Sequence, residues 1–232
     1  MNLIDLFGKV LIIAAHADDE TLGCGGLITK LKERNIDCHI HIATGSGGNK
    51  HPIFPEKEFK IIKNEFKNAI LHLGNPSFSF GNLPAAMLND VSTYKINADI
   101  ENLIDLTKPN TIFIPSQNDL HLDHKILNYA AKVASRPYLK NNSQLKGLIE
   151  YEVPSETNIY FDNANDVFRP NLYVDISSEL EYKLKAFSEY KSQLQTNTQP
   201  RSIEGLKSLA SYRGINIGAK FAEAYKIIYK KI

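Results

Sequence analysis

The apolar run from Val10 to Ala14 stops abruptly against Ala15-His16-Ala17-Asp18-Asp19-Glu20. Its length suits a buried parallel strand, and three acids beside a histidine are poor packing material at the end of one. Charge in such a place has to be paired, hydrogen-bonded or bound to a metal. In open α/β sheets the carboxyl ends of the strands are also where ligands sit. This one stretch predicts an α/β protein with a site just beyond its first strand.

The rest of the chain supplies the alternation that such a sheet needs. Thr21 to Arg34 carries Leu22, Leu27, Ile28 and Leu31 at near-helical spacing, with Gly23, Gly25 and Gly26 allowing close approach to a sheet or a ligand. Ile36 to Ala43 alternates as a second strand, and Thr44 to Pro55 is a loop. Glu56 to Leu73 reads as an amphipathic helix, Ser77–Phe80 as a short strand, and Leu83 to Asn89 as irregular. Tyr94 to Leu106 is helical, and Thr111–Pro115 is a second buried run. A helix is predicted from about Asp123 to Arg136, and β structure at Leu145–Val153, Asn158–Phe161 and Leu172–Asp175. Ser178 to Gln193 is predicted as a helix capped by Ser177 or Ser178, and Ile203–Tyr212 and Ala219–Tyr229 as two further helices. Strands alternating with helices imply a mostly parallel β-sheet with helices on both faces.

With 232 residues the chain is expected to form one domain, 1–232, large enough for a substantial core. Its 27 Lys+Arg balance 26 Asp+Glu, which gives no reason to expect nucleic acid as a partner. No apolar run approaches the ~20 residues of a transmembrane segment. The first apolar run is also shorter than the ~7–15 residues of a signal-peptide core, so no signal peptide is expected. Cys24 and Cys38 are too few for a disulfide scaffold and read as reduced thiols, Cys24 in packing, which points to a cytoplasmic protein. An oligomer is compatible with all of this and is not specified by it. The glycines make no dinucleotide fingerprint and there is no Walker lysine.

A second cluster, Asn118-Asp119-Leu120-His121-Leu122-Asp123-His124, follows the second buried run. His121 and His124 lie three apart, so both can face one point on a helical turn, and His16 and Asp19 have the same spacing. If both strands are central, the two clusters meet despite the distance in sequence. Two histidines and a carboxylate with one position open to water form a catalytic zinc arrangement, although the same set also suits Fe²⁺ or Co²⁺. Asp18 is then placed to take a proton from water whose pKa the metal lowers from 15.7 toward about 7. His121 can stabilise an oxyanion or protonate a leaving nitrogen, with Asp123 orienting it. The chemistry is hydrolysis of an amide with no covalent intermediate. The plainer alternative is that the acids serve helix N-termini and Asp123 is an N-cap. His39, His41, His51 and His72 read as structural or surface residues.

The two motifs, His16-Ala17-Asp18-Asp19-Glu20 after Ala15 and His121-Leu122-Asp123-His124, resemble those of the LmbE-like/PIG-L family of zinc-dependent N-deacetylases. Further similarity runs through Gly23–Gly26, Leu73-Gly74, Pro170–Asp175, Tyr190–Gln193 and Ala222-Glu223-Ala224. The resemblance implies a Rossmann-like sheet, a metal held by His16, Asp19 and His124, Asp18 as general base, and assistance from His121 and Asp123. It implies N-acetylated amino sugars or their conjugates as substrates. Ala17 stands where the family has proline. The family also carries an arginine before a glutamate in the helix after the Thr44–Pro55 loop. Here Lys60 and Lys63 precede Glu65, and no arginine occurs between Arg34 and Arg136. Lysine does not reproduce bidentate guanidinium contacts. The expected activity is therefore metal-dependent deacetylation of a sugar. The alternatives are an amidase cutting a bulkier acyl group from a sugar conjugate and a non-catalytic carbohydrate- or nucleotide-binding module.

Overall fold

Chain reversal decides where a site can form in this molecule. The computed structural model describes residues 6–48, 50–159 and 167–231. Within them, strands β1 Val10–Ala14, β2 Cys38–Gly45, β3 Ser77–Pro84, β4 Thr111–Pro115, β5 Gly147–Tyr151, β6 Leu172–Asp175 and β7 Ala222–Lys230 form one sheet. The order is β3-β2-β1-β4-β5-β7-β6. From β1 the chain builds outward through β2 and β3, then returns to place β4 against the other side of β1. All these neighbours are parallel, as is β4 with β5, whereas β7 runs antiparallel to β5 and β6. The carboxyl ends of β1 and β4 therefore flank the switch point, where such sheets open a crevice for ligands.

The helices are α1 Asp19–Glu33, α2 Glu56–His72, α3 Thr93–Thr107, α4 Leu122–Ala134, α5 Leu180–Ser188 and α6 Ile203–Ile215. Strand periodicity sorts their contacts. Val10, Ile12 and Ala14 face a core that includes Leu27 of α1, Phe66 of α2, Phe187 of α5 and Leu206 of α6. Leu11, Ile13 and Ala15 face a second core with Ile96, Ile100 and Ile104 of α3 and Leu127 and Ala131 of α4. Each such large aliphatic side chain contributes about 1.5–3 kcal/mol on burial. The whole of β1 is buried, which explains its continuous apolar character.

Close approach of α1 to the sheet depends on glycine. A Cβ on Gly23 would stand 2.3 Å from the Tyr151 ring. The helix is also pinned midway by a buried network: Glu223 accepts from Gly26 N at 2.9 Å and Leu27 N at 2.8 Å, while Lys183 Nζ donates to Glu223 at 2.7 Å and to Leu22 O at 2.8 Å.

Three expected elements differ. The segment predicted as helix Ala219–Tyr229 contains strand β7. Its polar Glu223, Lys226 and Lys230 are spaced as on a helix, but Tyr225, Ile227, Ile228 and Tyr229 favour a pleated surface, and two neighbouring strands supply its backbone partners. The helix expected over Ser178–Gln193 ends at Ser188, and its N-cap is Glu179 rather than a serine. Ser177 instead donates to Asp175 Oδ1 at 2.6 Å. Beyond Ser188 the chain turns so that Ser192 donates to Glu65 through its N at 3.0 Å and its Oγ at 2.6 Å. Of the β structure expected over Asn158–Phe161, Asn158 and Ile159 are in turn and bend; Tyr160 and Phe161 lie outside the described residues.

The α3 face of β2 and β3 is polar. His39 contacts Ser77 Oγ and Ser79 Oγ at 2.9 and 2.8 Å, and His41 Nδ1 lies 2.8 Å from Ser79 Oγ. Burial, reinforced by His39, pulls His41 down to about 4. Because the unfolded ring titrates near 6.5, its contribution is fully present above that pH and is lost as pH falls toward 4. In urea titrations at pH 7 and pH 4.5, His41→Gln should reduce the acid-induced loss of stability by about 2 kcal/mol. An unchanged loss would remove His41 from the acid response.

Candidate metal centre and active site

The β1–α1 turn carries His16, Asp18 and Asp19, and the β4–α4 connection carries Asp119, His121, Asp123 and His124. Both motifs meet at the switch point. His124 Nε2 lies 3.2 Å from Asp19 Oδ2 and 3.3 Å from His16 Nδ1, and His16 Nδ1 lies 3.7 Å from Asp19 Oδ2. Tetrahedral ligands on bonds of about 2.0–2.2 Å sit about 3.3–3.6 Å apart, so the triangle matches a metal's first sphere.

The remaining ring nitrogens fix what these atoms present. His16 Nε2 lies 3.0 Å from Asp123 Oδ2, and His124 Nδ1 lies 3.1 Å from Asp119 Oδ2. With each ring proton turned toward its carboxylate, His16 Nδ1 and His124 Nε2 would direct lone pairs toward Asp19 Oδ2. Three acceptors would then converge, as the ligands of a cation do. Burial would raise Asp19, but the His124 and His16 rings hold it well below the usual carboxylate range. Burial would lower His124, but Asp19 and Asp119 push it well above the usual imidazole range. Metal coordination would replace that proton. The donor set fits a divalent metal.

His121 occupies the rim. Its ring stacks on His124 with centroids 5.0 Å apart and lies 4.5 Å from the His16 ring. One nitrogen from each of His16, His121 and His124 comes within 4.8 Å of the others, so an all-histidine set is also available to a cation. The set with Asp19 has shorter spacings and supplies negative charge, which a divalent cation favours. His121 Nδ1 accepts from Asp123 N at 3.1 Å, and burial together with the neighbouring His16 and His124 lowers its pKa to about 4. Near neutrality the ring is thus uncharged, with its proton on Nε2.

The carboxylate expected to orient His121 does something else. The Asp123 side chain pairs with His16, and its two oxygens accept from Ala86 N at 2.6 Å and Leu88 N at 3.1 Å. Only the backbone N–H of Asp123 serves His121, because the first turn of α4 aims the side chain inward at β1. Burial would raise Asp123, but its hydrogen bond to His16 and the ring's charge lower it.

Asp18 adopts φ 136°, in the left-handed region that costs a non-glycine residue energy. Glu20 holds this geometry. Its Oε2 accepts from Asp18 N at 3.1 Å, and its Oε1 accepts from Tyr190 Oη at 2.5 Å and Thr21 Oγ1 at 2.6 Å. Burial and the adjacent Asp19 raise the Asp18 carboxyl well above its ordinary value, against the pull of Arg201.

A small cleft of about 80 Å³ adjoins His16, lined by Ile42, Phe59, Ile62 and Phe80 with Thr44 and Lys63 among its polar groups. Lys63 Nζ sits 5.0 Å over the Phe80 ring, whereas Lys60 pairs with exposed Glu56. His51 is a loop pin, donating from Nε2 to Ala85 O at 2.9 Å and accepting from Ile53 N and Phe54 N at 3.2 and 3.0 Å. His39, His41 and His72 also lie outside the cluster. Cys24 and Cys38 are buried free thiols pushed up by burial, Cys38 to about 12, and so are poor nucleophiles.

Sequence reasoning did not assign Asp119, Glu20, Tyr190 or Arg201 a role. Asp119 was detectable, standing two residues before His121 in an already acidic cluster. Glu20 was local too, two residues from the Asp18 N–H whose hydrogen bond it accepts, whereas the contacts of Tyr190 and Arg201 join segments remote in sequence and carry no local signature.

Fold and donor set together define a doubly wound α/β protein with a histidine–carboxylate centre at its switch point. The chain belongs to the PIG-L family, described as GlcNAc-PI de-N-acetylase, whose model matches residues 11–135. It is 25% identical over 232 aligned positions to the diacetylchitobiose deacetylase of Thermococcus kodakarensis, covering 95% of this chain and 83% of that one. The solved N,N'-diacetylchitobiose deacetylase of Pyrococcus horikoshii has TM-score 0.75 at 23% identity, with 97% and 85% of the two chains covered. GalB, the 4-carboxy-2-hydroxymuconate hydratase of Pseudomonas putida KT2440, has TM-score 0.75 at 17% identity, with 97% and 98% covered. The last shows that this fold also carries other chemistry, so function must be argued from the site.

Proposed function

We propose that the protein is a metal-dependent hydrolase that removes the acetyl group from an N-acetylated amino sugar or sugar conjugate. The observation that carries this reading is the convergence of His16 Nδ1, Asp19 Oδ2 and His124 Nε2 within 3.2–3.7 Å, beside the constrained carboxylate of Asp18. Those three residues would hold the metal, zinc in our reading, with Fe²⁺ and Co²⁺ suited to the same donors. When bound, the metal supplies Lewis acidity toward the acyl oxygen and toward water.

The chain's own groups perform the proton movements. Asp18 accepts the proton of the attacking water and returns it to the departing nitrogen, as one positioned carboxylate can serve as base and then acid. His121, neutral with Nε2–H exposed at the rim, donates a hydrogen bond to the developing oxyanion. This favours oxyanion stabilisation over protonation of the leaving group among its two expected roles. Asp123 and Asp119 hold the His16 and His124 rings in the tautomers that face inward. The apolar cleft beside His16 suits a methyl-bearing acyl group, which favours deacetylation over release of a bulkier acyl chain. The family membership and the deacetylase activities of similar proteins support the same reaction class. Buried, unpaired Cys24 and Cys38 fit a cytoplasmic location.

Acetate and free amine should be released from N-acetylglucosamine or N,N'-diacetylchitobiose by metal-loaded protein, and chelation should stop it. Stoichiometric metal without acetate release from either sugar or from an N-acetylglucosamine conjugate would overturn the reading.

A further inference from the structure

The cation that reaches the candidate base comes from a distant part of the chain. Between α5 and α6 a turn closes on itself: Gln195 N donates to Arg201 O at 2.8 Å, and Gln195 Oε1 accepts from Arg201 N at 3.1 Å. Gln199 Oε1 accepts from Thr196 N at 3.2 Å and Thr196 Oγ1 at 2.9 Å. The next residue, Ser202, caps α6 by accepting from Gly205 N at 2.9 Å. The Arg201 backbone is therefore held on both sides. Its side chain is directed at the switch point, where Nη1 lies 3.5 Å from Asp18 Oδ2.

Each group has a buried atom left over. Asp18 Oδ2 and Arg201 Nε are buried, and neither makes a hydrogen bond among the described residues. The Asp18 backbone is already constrained at φ 136° by Glu20, which leaves the side-chain torsions to be set. A guanidinium acting on Oδ2 would set them and leave Oδ1 to take a proton.

We propose that Arg201 is a positioning residue that orients the Asp18 carboxylate. The proposal rests on reading Asp18 as the proton acceptor. Arg201 acts on the base from a segment 183 residues away in sequence. Glu156 is another acid on which Arg201 acts electrostatically, and it serves as the control.

The test combines kinetics with a stability cycle on the metal-loaded full chain. With N,N'-diacetylchitobiose as probe, Arg201→Gln should lower kcat about a hundredfold with KM within about threefold, as expected for a misplaced reacting group. Arg201→Lys should recover part of the loss, retaining the charge but not the planar fork. Glu156→Gln should leave kcat near wild type. Thermal midpoints of wild type, Arg201→Gln, Asp18→Asn and the double variant give a readout independent of turnover. Arg201→Gln should cost several degrees in wild type and much less when Asp18 is already Asn. Additive midpoints, or a rise in KM with kcat unchanged, would overturn the proposal. If wild type releases no acetate from the probe, the deacetylation reading fails for that sugar. The midpoints then still decide, coupling upholding the pair and additivity overturning it.

Discussion

Asp18→Asn should lower kcat for acetate release by about 10²–10⁴-fold, the usual contribution of a positioned general base. KM and metal content should stay near wild type. Asparagine keeps the shape of the side chain and the hydrogen bond from Asp18 N to Glu20, but it cannot take a proton. The substitution also removes a charge buried beside Asp19, whose proximity raises Asp18. The variant is thus expected to fold at least as well as wild type, which separates a chemical defect from a structural one. Steady-state kinetics beside metal analysis decides the matter. Retention of more than a tenth of wild-type kcat would remove Asp18 as the proton acceptor.

Purified wild-type protein should carry about one equivalent of divalent metal, and Asp19→Ala and His124→Ala should each carry almost none. Each removes one of three donors from a triangle that two cannot close. His124→Ala also leaves Asp119 facing a void, and Asp19→Ala leaves two ring nitrogens opposed without a counter-charge. Both should therefore lower the thermal midpoint as well as activity. A milder change separates the donors from their supports. Asp119→Asn should weaken metal affinity by about 10–100-fold without abolishing it, the usual effect of losing a carboxylate that orients a ligating histidine. Full metal occupancy in Asp19→Ala, with none in His124→Ala, would move the centre to the three histidines, and His121→Ala would then lose the metal too.

The candidate site was legible in sequence because it is built from two local patterns, each resting on a strand end. His16, Asp19, His121 and His124 sit where turns after β1 and β4 must place them, and the apolar runs announced both strands. What those patterns left open was direction. Asp123 stands between His121 and His124, so either ring could have been its partner; the fold turned its carboxylate to His16, 107 residues away in sequence. In the fold itself, β7 was taken for a helix because Glu223, Lys226 and Lys230 are spaced as on a helix. Backbone pairing with β5 and β6 decides the state, and that term is absent from any local window.

By itself the sequence determined a mostly parallel α/β sheet, its two central strands and the donor types at their ends, because hydrophobic periodicity and local turn chemistry act over a few residues. Only the tertiary structure decided which carboxylate orients which ring, that Glu20 and Tyr190 hold Asp18 in a strained conformation, and that Arg201 reaches the base. Those contacts join segments up to 183 residues apart, as Asp18 and Arg201 are. They form only when cores on both faces of the sheet have packed, because charge and hydrogen bonding become decisive at a site once water has been excluded around it.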